Sequence, residues 1–285
     1  MPGLTLENTA IVLDSTGDPP KGYVDTPGIF VVPLTVHFGD ESYRDGVDLD
    51  HGQFFAKLQA SSVLPTTSQP TVADFLAVYR EVRATYDHVF SLHLSSKMSG
   101  TYGAASRAAE AVDGVDVYDT KTVTAPITLL AERLRARLAQ GCSLAEARDY
   151  IAYFIANEKL LIHAATLEYL RRGGRIGRAA SLVGDVFDIK PLITNVDGEL
   201  AGYAKVRGLK KAFAAMERFL DENSRPDDTV YFAVIEALND TEPAQIRELI
   251  EQARPNAEFV FATQVGAVVG THIGPGAAAF TMIVE

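Results

Sequence analysis

A chain of 285 residues with 47% apolar and 22% charged content can bury a large core, as one large or two ordinary domains, and is not disordered. Its net charge of −11 argues against general binding to nucleic acid or to an anionic membrane, since neutralising phosphates needs surplus Lys and Arg on one surface. One cysteine, Cys142, excludes an intrachain disulfide and a cysteine-built metal site, which fits a reducing cytosol.

Met1 to Asn8 lacks both a basic start and an apolar core, so no signal peptide is expected. Thr9 to Leu13 reads as a buried strand that ends in the polar turn Asp14-Ser15-Thr16-Gly17. Gly28 to Phe38 is a second strand-like run, and Asp50 to Ala60 carries helical spacing. Thr71 can cap a helix whose inner face holds Phe75, Leu76, Tyr79 and Val82. His88 to Leu94 is a strand, Gly100 to Val112 an Ala-rich helix, and Val115 to Tyr118 a strand; helices follow over Thr122 to Gln140 and Ser143 to Asn157. This alternation implies a parallel sheet covered on both faces.

From Leu160 the pattern changes. Leu160 to Thr166 reads as a strand, and Pro191 to Val206 as a hairpin turning at Asp197-Gly198. A helix over Leu209 to Leu220, a strand over Val230 to Ala237 and a helix over Glu242 to Ala253 come next. Strands at Glu258 to Gln264 and Ala278 to Val284 flank a glycine-rich loop, Val269 to Gly276, that carries Thr271 and His272. The expected fold is α/β in two domains. Residues 1–158 form a three-layer α/β domain on a parallel sheet, and residues 159–285 an α+β domain with a mixed sheet. No apolar run is long enough to span a bilayer, so no stable membrane insertion is expected, and the chain should be cytoplasmic.

Four further polar segments stand where strands give way to loops or helices, the edge along which parallel sheets bind ligands. Asp14-Ser15-Thr16 reads as a turn whose side chains bond nearby backbone; a phosphatase-style Asp nucleophile would want a second acid where Thr16 stands. Pro65 to Pro70 places Thr66, Thr67 and Ser68 before a helix, where hydroxyls and free N–H groups suit an anion or simply cap the helix. Leu94 to Thr101 repeats the design with Ser95, Ser96 and Ser99, which lack a nucleophile elbow and read as hydrogen-bond donors. Leu170 to Arg178 holds four arginines; one of them, set by glycine turns, can reach a buried anion while the others face solvent or a partner.

Taken together, Asp14-Ser15-Thr16, Thr67-Ser68-Gln69-Pro70, Ser95 to Tyr102, Gly173-Gly174-Arg175-Ile176 and Gly270 to Gly276 resemble the DegV family of bacterial fatty-acid-binding proteins, which includes the FakB subunits of fatty acid kinase. The resemblance covers nearly the whole chain, departing at Met98, where the family usually has Leu, and at Gly103, where it often has Gln. It implies one long-chain fatty acid held between and beneath two domains. By matching motifs its carboxylate falls to Thr67, with Ser68 beside it, and to Ser96 or Ser99, with Ser95 in the same segment. Arg175, Thr271 and His272 complete the implied network. Arg178 and Arg207 look like the positions that meet the kinase. The resemblance implies a carrier with no activity alone, no catalytic residues, no metal and no cofactor beyond the fatty acid, with roles in phospholipid synthesis and room for transient membrane contact. Two other readings stay open: a small-acid hydrolase or phosphotransferase using Asp14 or His272, and a lipid sensor without a kinase. Phe187 and Ile189 read as ordinary core.

Overall fold

The computed structural model describes residues 3–183 and 189–285. In chain order the first part runs β1 (Thr9–Asp14), β2 (Ile29–Val32), β3 (Thr35–Phe38), β4 (Glu41–Arg44), α1 (His51–Ala60), β5 (Thr66–Ser68), α2 (Val72–Arg83), β6 (His88–His93), α3 (Thr101–Ala109), β7 (Val115–Asp119), α4 (Ala125–Gln140) and α5 (Leu144–Asn157). Strands β2-β1-β6-β7 form a parallel sheet in that order. All six residues of β1 are buried, as a strand covered on both sides must be. Ala10 and Val12 pack with Phe75 and Tyr79 of α2, whereas Ile11 and Leu13 pack with Leu130 and Leu134 of α4. Capping boxes at Asp50/Gln53, Thr71/Asp74 and Ser143/Glu146 start α1, α2 and α5.

The run Gly28 to Phe38 is split. Pro33 and Leu34 break it, so that β2 joins the parallel sheet while β3 lies in a small antiparallel sheet ordered β4-β3-β5. The segment before α2 therefore contains a strand, with Thr67 opposite Val36, and the start of α2 is closed by its own Thr71 and Asp74. Thr67 does not sit at a helix N-terminus as the sequence suggests.

The second part runs β8 (Lys159–His163), α6 (Glu168–Arg172), β9 (Ile189–Val196), β10 (Glu199–Arg207), α7 (Leu209–Asn223), β11 (Val230–Ala237), α8 (Glu242–Ala253), β12 (Ala257–Gln264), α9 (Ala267–Ile273) and β13 (Ala277–Val284). These strands form one mixed sheet, β10-β9-β8-β13-β11-β12, in which only β11 and β12 are parallel, joined through α8. The β9–β10 hairpin turns at Asp197 and Gly198, both at positive φ (52° and 83°), as a tight two-residue turn requires. One face of the sheet packs Phe232, Phe280 and Met282 against Phe219 of α7 and Ile246 of α8. The other face presents Ile162, Ile193, Ile235, Ala277 and Ala279 toward the first part of the chain.

Two expectations change here. The glycine-rich loop at Val269 to Gly276 is mostly helix α9, and the strand from Leu160 stops at His163. Phe187 lies outside the described residues, and Ile189 is half-buried at the start of β9. All strands of the parallel and small sheets precede Lys159, and all strands of the mixed sheet follow from it. We propose 158/159 as the division between two units on that ground.

Candidate functional site

A cavity of about 360 Å³ lies between the open face of the mixed sheet and the carboxyl edge of the parallel sheet, with β5 and α9 along its side. Most of its wall is aliphatic, including Leu34, Val123, Ile162, Ile235, Val268 and Ile273. Thr16 and Thr124 also line it, but their hydroxyls donate to the buried carboxylates of Asp14 and Asp18, so neither hydroxyl proton is free for a guest there.

Polar side chains gather at one place. Thr67 Oγ1 on β5 and His272 Nε2 on α9 are 3.0 Å apart. Gly173 lies so close to His272 that a Cβ there would fall 2.2 Å from Nδ1, and only glycine fits. Arg175 donates to Gly173 O at 2.7 Å and to Met98 O at 3.4 Å, which sets its guanidinium beside Ser99. Gln69 packs against Gly100, the next residue along. Thr67, Gln69, Ser99, Arg175 and His272 thus supply polar groups to the same cavity wall, with Thr67 bonded to His272 and the Arg175 charge near enough to act on that ring. Arg175 is exposed and carries the cluster's fixed positive charge.

His272 is not a second charge. Burial, followed by the nearby Arg175 guanidinium, pushes its pKa down to about 4, so the imidazole is neutral at physiological pH. Neutral, it either donates through Nε2 to Thr67, freeing the Thr67 hydroxyl proton for a guest, or accepts that proton itself.

Most of the remaining sequence candidates fall away from this cluster, and Ser68 and Ser99 line the cavity. Ser95 is buried and donates to Gly198 O at 2.7 Å, tying the parallel-sheet edge to the β9–β10 turn. Ser96 is exposed and donates to Asp119. The Thr271 hydroxyl donates back to Ala267 O at 2.8 Å, the intrahelical bond open to a threonine inside a helix. Ser68 touches the cavity while its hydroxyl pairs with His37 Nε2 at 2.9 Å. Of the three serines around Leu94 to Thr101, Ser99 lines the cavity, with its hydroxyl 2.9 Å from that of Thr101. Arg178 bonds Val196 O at 2.6 Å and pairs with Glu199 at 3.5 Å near the hairpin turn. Arg207 ends β10, eight residues after the Glu199 that Arg178 pairs with, or roughly 26 Å along the strand at ~3.3 Å per residue, so the two do not make one compact patch.

Asp14 is fully buried. One of its oxygens accepts from the Thr16 N–H and hydroxyl, the other from Leu94 N–H and from His93, which continues through Ser91 to Tyr79. No Asp14 oxygen faces the cavity, which removes the geometry a nucleophile needs.

Sequence reasoning missed Asp18 and Asp45. Asp18 accepts from Gly266 N–H and Asp45 from Ala267 N–H, each at 2.8 Å, so two buried carboxyls hold the start of α9. Burial raises both pKa values, that of Asp45 to about 6. The only sequence signal is Gly266 ahead of a short apolar run. Among the described residues, no group of three His, Cys, Asp or Glu side chains is arranged to hold a metal ion, and no helix is long and apolar enough to cross a membrane.

Comparison with known proteins identifies the family of the chain. Residues 8–285 match the family described as "Uncharacterised protein, DegV family". Protein DegV of Bacillus subtilis is 34% identical over 281 residues, spanning 95% of this chain and 97% of that one. A DegV family protein from Thermus thermophilus, its structure described as showing fatty acid binding, superposes with a TM-score of 0.92 at 31% identity, covering 98% of this chain and all of that one. A stearic-acid-binding protein from Eubacterium ventriosum superposes with a TM-score of 0.87 at 26% identity, covering 97% and 98%.

Proposed function

Since the chain belongs to the DegV family, we propose that it binds one long-chain fatty acid, tail in the aliphatic cavity and carboxylate at the Thr67–Ser99–Arg175–His272 cluster. The observation that carries this reading is a cavity with a mostly aliphatic wall on which Thr67, Gln69, Ser99 and His272 offer polar groups beside an exposed arginine, while Thr16 and Thr124 commit their hydroxyls to buried carboxyls and the lining Glu236 carboxylate accepts from Asn239 N–H and Gln264. Burying about fourteen methylenes at ~0.8 kcal/mol each supplies roughly 11 kcal/mol of gross drive. Lost translational and rotational freedom opposes it. Carboxylate desolvation also opposes it, and charge-assisted hydrogen bonds netting about 1.5–3 kcal/mol each offset that cost. The tail supplies affinity, and the head group fixes orientation.

The geometry supports a division of roles within this reading. An anion at Thr67 favours the His272 tautomer with hydrogen on Nε2, because the Thr67 hydroxyl then donates outward. His272 holds Thr67, Thr67 and Ser99 hold the carboxylate, and Arg175 balances its charge. A carboxyl oxygen beside exposed Arg175 is reachable by a second protein, which supports presentation to a separate fatty acid kinase for acyl-phosphate formation in the cytoplasm. Arg178 and Arg207, at opposite ends of one hairpin, are the docking candidates.

The enzymatic reading is weaker on two counts. Asp14 has no oxygen toward the cavity, and a histidine with a pKa near 4 is a poor base at neutral pH. Mass spectrometry of the denatured, purified protein separates the readings: a co-purified C14–C18 fatty acid near one per chain is expected. An empty protein that turns over a small phosphoester would overturn the carrier.

A further inference from the structure

In the register of the mixed sheet, Ala279 of β13 lies directly between Ile162 of β8 and Ile235 of β11, and all three line the cavity. The next row on the same face, Leu160–Thr281–Ala233, does not line the cavity and is fully buried. The cavity floor therefore stops at the Ala279 row. Neighbouring strands stand about 4.8 Å apart, so one methyl between two isoleucines leaves a trough a single side chain wide, with walls roughly 10 Å apart from strand to strand. Those walls are fixed by backbone pairing on both sides and cannot move aside for a larger residue in the middle.

We propose that Ala279 is the depth gauge of this cavity, the residue that sets the longest acyl chain the protein accepts. The proposal rests on the reading that the cavity holds an acyl chain. A leucine at 279 adds three carbons to the trough and displaces a similar length of tail, while shorter chains that end before this row are unaffected. Loss of about three buried methylenes corresponds to an affinity loss of about fiftyfold.

The test is competition binding of saturated C10 to C18 acids to the delipidated full chain and two variants. Ala279→Leu should keep C10 and C12 affinity within a few fold and weaken C16 and C18 about fiftyfold. Ile235→Ala, which removes bulk and so cannot fail by overpacking, should move the optimum toward longer acids. If both variants keep the wild-type length profile, or if Ala279→Leu weakens every length alike while Ile235→Ala leaves the optimum in place, the gauge is elsewhere. If the wild-type protein binds no acid of any length, the reading of the cavity itself falls, a result distinct from an unchanged profile.

Discussion

His272 shows how burial decides what a polar residue can do. Exposed, it would titrate near 6.5; desolvated and beside Arg175, its pKa is about 4, and protonation costs the folded state free energy that the unfolded chain does not lose. Its contribution to stability is thus present above pH 6.5 and fades as pH falls toward 4. The ring should stay neutral from pH 8 down to 5, and nitrogen chemical shifts of labelled His272 would show this as a flat line; a midpoint near 6.5 would contradict the packing described. Thr67, His272 and Arg175 stand out in the sequence through the motifs that resemble the family, since their residue types alone fit a helix cap, a turn and a solvated charge run equally well. The choice among Ser95, Ser96 and Ser99 was not legible there, since residues one to four apart in a turn point in different directions and only the fold says which meets the cavity.

At the scale of the element, α9 is the informative case. Seven residues are too few to hold a helix by propensity, and too few for helical periodicity to stand out among glycines. The helix exists because Asp18 and Asp45, more than two hundred residues distant in sequence, accept its first N–H groups, and because Gly274 at φ 71° ends it against Tyr169. None of this is local, which is why the segment reads as a loop. Gly274→Ala would place a Cβ 2.2 Å from the Tyr169 ring at a left-handed φ, and should cost about 1–3 kcal/mol in a denaturant titration. Gly173→Ala acts differently. Its Cβ would strike His272 Nδ1, so fatty-acid retention should fall more steeply than stability, and equal losses in the two would argue that Gly173 serves the fold alone. Strand β5 was missed for a related reason: three residues pair only with β3, and a Thr-Ser-Gln-Pro segment carries no alternation to betray it.

For the whole molecule, the strand–helix alternation and the Asp-Gly hairpin foretold the two larger sheets, because each element's pattern is local and strong, but not the small β4-β3-β5 sheet. How the sheets meet was not foretold. Glu158, in the step from α5 to β8, is buried beside Thr122 of the first part and Asn195 of β9. Burial, against weaker help from those two side chains and Lys159, pushes its pKa up to about 7. A raised carboxyl pKa stabilises the protonated folded state. Glu158 therefore contributes stability that is complete below about 4.5 and lost as pH rises through about 7, up to roughly 3 kcal/mol at ~1.4 kcal/mol per pKa unit. Glu158→Gln keeps the shape without the titration, so the wild type should lose stability relative to it between pH 5 and 8. A constant difference across that range would show that Glu158 does not bind its proton in the folded protein.

The central claim, that the Thr67–Ser99–Arg175–His272 cluster holds the carboxylate of a cavity-bound fatty acid, is tested most directly by native mass spectrometry. The wild-type chain is compared with Thr67→Ala/Ser99→Ala after identical purification and challenge with a C16 acid. Two charge-assisted donors at about 1.5–3 kcal/mol each predict an affinity loss of about a hundredfold or more, with circular dichroism unchanged. Equal retention by the two proteins would contradict the assignment of the cluster.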